Sequence, residues 1–131
     1  MARQIIHTDA APSSPLYAQG VRAGETIWLS GMVGIDAATA QLAGPSVGEQ
    51  TRQAVANCAT VLAAGGASLD DVVEVGILLA EPDDFAAMNQ AWAELFPVDP
   101  PTRYVARLGV SLPGILVSVR MTAWVGSGPA G

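Results

Sequence analysis

Hydrophobic and polar positions follow two different periods along the chain. Arg3 to Thr8, Tyr17 to Val21 and Thr26 to Val33 are short β-prone runs. The last two flank Arg22-Ala23-Gly24-Glu25, a glycine turn that predicts a hairpin. Beyond Ser46 the spacing becomes helical: Val55, Cys58 and Leu62 share one face, with Ala54 and Val61 alongside. Ser46-Val47-Gly48-Glu49 fits a capping box, in which the two outer side chains satisfy free amide groups. Gly65-Gly66 supplies a C-cap after about Ala64. Asp71 to Ala80 is nearly continuous in apolar character, the pattern of a strand buried on both faces. Glu81-Pro82-Asp83-Asp84 opens a second helix, because proline suits the first turn and acids favour the positive end of the dipole. Phe85, Met88, Trp92 and Leu95 form its expected buried stripe, and Phe96-Pro97 closes it. Thr102 to Val110 and Ile115 to Val125 read as two final strands around Ser111-Leu112-Pro113-Gly114. The proline-containing stretches Ala11 to Tyr17 and Val98 to Pro101, and the small polar stretch Asp36 to Pro45, read as loops.

The order β-β-β-α-β-α-β-β predicts an α+β fold: one sheet with both helices packed on one face. Residues 1–125 form a single domain, and 126–131 read as a disordered tail. The second face of the sheet must be solvated or covered by a partner.

Composition favours the partner. Half of the 131 residues are hydrophobic and only 14% are charged, against roughly 25% in ordinary soluble domains. Too few charges remain to cover a monomer. Acids outnumber bases twelve to six, and every base is a scattered arginine. Nucleic-acid phosphates need clustered cations, so a nucleic-acid partner is not expected. Cys58 and His7 are the only residues of their kinds, which excludes an intrachain disulfide and a Cys- or His-rich metal site. No apolar run reaches the roughly 18 residues of a membrane helix. The first residues carry no cleavage signature. A cytoplasmic protein without a membrane partner is the expectation.

Several local motifs, in order, resemble the RidA/YjgF (Rid, RutC-like) family. They are Ala11-Pro12 with Tyr17-Ala18-Gln19-Gly20, Leu29-Ser30-Gly31, Gln50-Thr51-Arg52-Gln53 with Asn57, Ala64-Gly65-Gly66 with Asp71-Val72-Val73, Asp84-Phe85 with Asn89, Pro101-Thr102-Arg103, and Leu112-Pro113. The resemblance spans about Ile6 to Val125. It implies a chorismate-mutase-like fold with a six-stranded mixed sheet, a homotrimer, and a small carboxylate ligand held in clefts between subunits. It implies no metal and no organic cofactor. The activity implied is hydrolysis of enamine or imine acids to 2-oxo acids and ammonia.

Arg103 leads the candidate residues. Guanidinium is planar and grips a carboxylate with two parallel hydrogen bonds. Read without the resemblance, it is a surface strand arginine. Tyr17, Ser30, Gly31, Asn89 and Val105 match positions lining the family's cleft. Departures from the pattern fall on the chemistry. Deaminating members carry a glutamate on the last strand that positions water. Here Ser118 takes that place if one residue is deleted after Pro113, and Val119 takes it otherwise. Neither is a carboxylate base. Val105 stands where the deaminases often have cysteine, and Met32 where they have glutamine. Alternation puts Ser118 and Arg120 on one strand face. Arg120 either adds a second charge for a diacid, if that face lines the cleft, or pairs with an acid or faces solvent. His7 reads as a strand-edge residue, Cys58 as core, and the three tryptophans as packing and interface residues. Three functions stay open: a deaminase, a non-catalytic binding or regulatory protein, and a specialised deaminase of a catabolic diacid. A ribonuclease, a label also given to family members, is disfavoured by the acidic charge.

Overall fold

The capping box forms as the local chemistry requires. The Ser46 hydroxyl accepts from the Glu49 amide at 3.2 Å and the Glu49 carboxylate accepts from the Ser46 amide at 3.4 Å, starting helix α1 (Val47–Ala64). Gly66, with φ of 89°, provides the left-handed turn that ends it. The second helix, α2 (Phe85–Leu95), follows a short 3-10 turn at Pro82–Asp84. In this computed structural model, which describes residues 2–127, the strands are β1 (Gln4–Ile6), β2 (Gly20–Ala23), β3 (Thr26–Leu29), β4 (Met32–Val33), β5 (Ile35–Asp36), β6 (Gln41–Leu42), β7 (Val72–Leu79), β8 (Thr102–Arg107) and β9 (Val117–Trp124).

The sheet order is β1-β2-β3-β9-β7-β8, with β4 continuing the lane of β3 beside β9. Six lanes result, antiparallel except for β7 and β8. This is the expected six-stranded mixed sheet. Both helices pack on one side of it. Val75, Ile77, Leu79, Val117, Val119, Met121 and Ala123 point into the core, where they meet Ala54, Val55, Cys58, Val61, Leu62 and Met88. Each valine, leucine, isoleucine and methionine among them contributes roughly 1.5–3 kcal/mol by leaving water.

The opposite face is bare. It presents Ile5, Trp28, Tyr104 and Trp124, each 44–55% exposed. Tyr104 lies across Gly76, where an added Cβ would stand 2.6 Å from the phenol oxygen. The expectation that β7 is buried on both faces therefore holds fully toward the helices and in part on the other side, where Gly76 is buried and Leu78 half-buried but Glu74 is exposed.

Other boundaries also differ. Tyr17 lies outside a strand, making only an isolated bridge to Ser14. The predicted Thr26–Val33 strand breaks at Ser30-Gly31, because Trp28 faces Thr122 while Met32 faces Val119, a slip of one residue in register. The expected loop after Asp36 contains the β5–β6 hairpin. Phe85 is 46% exposed and leaves the predicted stripe of α2, because the helix begins beyond the cover of the core. Gly126 and Ser127 are tied to Asp71 by hydrogen bonds of 3.1 and 3.0 Å. Order thus extends two residues past the predicted boundary; the remainder of the expected tail, 128–131, lies outside the described residues. Among the described residues no helix is long and apolar enough to cross a membrane.

Candidate functional site

Parity along the edge strand β8 decides where Arg103 points. Arg103 pairs with Val75 and Tyr104 with Gly76. Arg103, Val105 and Arg107 therefore face the helix side, while Thr102, Tyr104 and Ala106 face the bare side. The Arg103 guanidinium reaches α2, where Nη1 donates to Asn89 Oδ1 at 2.8 Å. Its centre lies 5.6 Å from the Trp92 ring and 6.0 Å from the Phe85 ring. Aromatic faces attract a cation without consuming its donors. Trp92 is itself packed on Phe96 at 4.5 Å. No carboxylate pairs with Arg103 among the described residues. One amide and two rings thus hold the fork in place and leave donors for an anion. Beside it, Leu79, Pro82, Phe85, Val105, Ala106 and Arg107 line a recess of about 360 Å³.

A second recess, of about 380 Å³, is lined by Tyr17, Ser30, Gly31, Val33, Leu112 and Ser118. The strand break creates it. A Cβ on Gly31 would sit 2.8 Å from Ser118 Oγ, so only glycine leaves this space open. The Ser30 hydroxyl donates to the Ala18 carbonyl at 2.6 Å and its amide donates to Gln19 O at 3.0 Å. Its proton is therefore committed, and Ser30 is left with lone pairs to offer. Val119 is fully buried beneath α1, and Ser118 occupies the recess.

The predicted site residues thus divide into two groups. Arg103, Asn89 and Val105 lie together on the helix side of the edge strand. Tyr17, Ser30, Gly31 and Ser118 lie together around β4 and β9, and Ser118 points to the bare face. β7 separates the two strands. The sheet keeps the groups apart within one chain. Arg120 belongs to neither group. It lies on the bare face with Nη2 3.6 Å from Glu74 Oε1, which also accepts from Thr122. The acid-paired alternative is the one observed.

Three buried amides escaped the sequence reading as positioning groups. Gln50 donates to the carbonyls of Gly44 and Gly114 and accepts from the Leu116 amide, fixing the loop that carries Leu112. Asn57 donates to Val33 O and Ile35 O, holding the chain just past the strand break. Gln19 donates to Thr8, Ala11 and Pro12 carbonyls, shaping the loop before Tyr17. The available signal was polar residues at core positions: Gln50 and Asn57 fall on the same helical face as Ala54 and Val61.

Cys58 is core, as expected. Its thiol donates to Val119 O at 3.7 Å, and burial pushes its pKa up to about 12; the neutral form is inert toward electrophiles. His7 is exposed beside Asp9 at 3.0 Å.

Comparison with known proteins agrees with this architecture. The family profile described as Endoribonuclease L-PSP matches residues 8–125. A RutC family protein of Pyrococcus abyssi is 32% identical over 126 residues, covering 95% of this chain and 98% of its own. A human protein named 2-iminobutanoate/2-iminopropanoate deaminase is 30% identical over 124 residues, covering 94% of this chain and 90% of its own. The crystal structure of RidA from the Antarctic bacterium Psychrobacter sp. PAMC 21119 superposes with a TM-score of 0.86 at 29% identity, covering 93% of this chain and 99% of that one. With matching motifs, sheet order and helix placement over nearly its whole length, the chain belongs to the RidA/YjgF/RutC (endoribonuclease L-PSP) family.

Proposed function

We propose that the protein binds a small carboxylate through Arg103 in a cleft completed by a second copy of the chain, within a homotrimer, and that it hydrolyses imine acids slowly. The observation carrying this reading is the state of Arg103: oriented by Asn89, stacked near Trp92 and Phe85, and unpaired with any acid among the described residues. The bare face supplies the second part. Trp28, Tyr104, Trp124 and Ile5 form an apolar surface suited to association. Association offers the Ser118 recess of one copy a route to the Arg103 groove of another. Relatives named for deamination of 2-iminobutanoate and 2-iminopropanoate supply the reaction class.

In that reaction water adds to the imine carbon, the C–N bond breaks, and ammonia leaves a 2-oxo acid. Arg103 fixes the substrate by its carboxylate, which lowers the entropic cost of attack. A positioned base adds about 10²- to 10⁴-fold in enzymes that have one. Ser118 provides no such base, so the rate stays near that given by positioning. The test is ammonia release from freshly generated 2-iminobutanoate. Modest acceleration that disappears in Arg103→Gln is expected. Absence of any Arg103-dependent acceleration across the pH range would reject catalysis. Ligand binding without acceleration would favour the second reading, a non-catalytic binding protein, which the missing carboxylate on β9 also supports.

A further inference from the structure

We propose that Arg107 forms a second anionic subsite in the Arg103 groove and makes the protein selective for dicarboxylates. The inference rests on the reading of Arg103 as the carboxylate anchor. Arg103, Val105 and Arg107 alternate onto the same side of β8. Four residues of strand separate the two arginine backbones by about 13 Å. Helix α2 lies along this edge. Arg103 meets Asn89 and Trp92, Val105 shares the recess with Phe85, and Arg107 shares it with Pro82 at the start of the turn before the helix. The recess thus has an apolar floor with Arg107 in its lining, and Arg103 stands beside it, 6.0 Å from the Phe85 ring. Both side chains are long enough to reach inward toward the two ends of a short diacid.

Arg3, Arg103 and Arg107 are the arginines without an acid partner among the described residues, and of these only Arg107 shares with Arg103 the helix side of β8. Arg22 pairs with Glu25, Arg52 with Glu94, and Arg120 with Glu74. Arg107 has no acid within 4 Å among the described residues, in a chain whose acids outnumber its bases twelve to six. Glu81 lines an adjoining recess with Arg107 yet makes no ion pair with it. Asp83 and Asp84 stand in the same turn. These acids disfavour a dianion at this end of the groove, so the preference depends on Arg107 itself. Arg120 offers no such subsite, since it is committed to Glu74 on the other face.

Calorimetric titration with pentanoate and glutarate, which differ by one terminal carboxylate, tests the assignment. The native protein is expected to bind glutarate about tenfold or more tightly than pentanoate. Arg107→Gln is expected to bring the ratio to one or invert it, and Arg103→Gln to weaken both acids. Equal affinities in the native protein, or a glutarate preference that survives Arg107→Gln, would overturn the Arg107 subsite. In either case continued dependence of pentanoate on Arg103 would leave the anchor standing. Binding of both acids that ignores Arg103→Gln, or no binding of either acid, would remove the anchor and this inference with it.

Discussion

Arg103 and Arg120 lie on strands separated only by β7, yet the sheet treats them oppositely. Arg103 faces the helix side, where its neighbours are an amide and two aromatic rings. Arg120 faces the bare side, where Glu74 satisfies it at 3.6 Å. The same side chain is left without an acid partner in one place and forms a closed surface pair in the other. Strand parity chooses the face, and the chemistry of the neighbours chooses availability. The bare face then offers what the groove lacks: hydroxyls, an open glycine recess and an exposed apolar surface.

Disrupting the bare face should have the largest effect. Trp28→Glu places a charge in the apolar surface; burying it unpaired would cost more than association returns. The expected result in sedimentation is a shift from trimer to monomer, with loss of carboxylate binding although Arg103 is untouched. A monomer that still binds normally would show that one chain's groove suffices. Supplying the missing group comes next. Ser118→Glu places a carboxylate in the recess beside Gly31 and Ser30 and is expected to raise imine hydrolysis by about 10²-fold, measured as ammonia release. An unchanged rate would mean that the recess does not face the substrate. The smallest effect belongs to Arg120→Gln. Its pair is half exposed on both sides, so the stability change in chemical denaturation should stay below about 1 kcal/mol, with carboxylate affinity unaltered. A large affinity loss would move Arg120 into the site.

Much of this contrast was legible in the chain, for local reasons. The Ser46–Glu49 box, the Val55-Cys58-Leu62 stripe and the proline at the start of the turn before α2 are decided by near neighbours, and they formed as expected. Arg103 was legible as a candidate through the Pro101-Thr102-Arg103 motif, and parity placed Ser118 and Arg120 on a common face. Features set by distant pairing were not legible. The break at Ser30-Gly31 depends on register against β9. Arg120 meets Glu74 only because β7 lies beside β9, 46 residues away in sequence. Phe85 continues the helical stripe, so its exposure follows from where the sheet edge ends. Arg107 was passed over because its significance lies in having no partner, which only the fold reveals.

The central claim concerns the fork of Arg103, and titration of 2-oxobutanoate into the native protein and Arg103→Gln tests it most directly. A charge-assisted pair contributes about 1.5–3 kcal/mol, so the variant should bind about ten- to a hundredfold more weakly while keeping its assembly. Equal affinity in the two proteins would contradict the account.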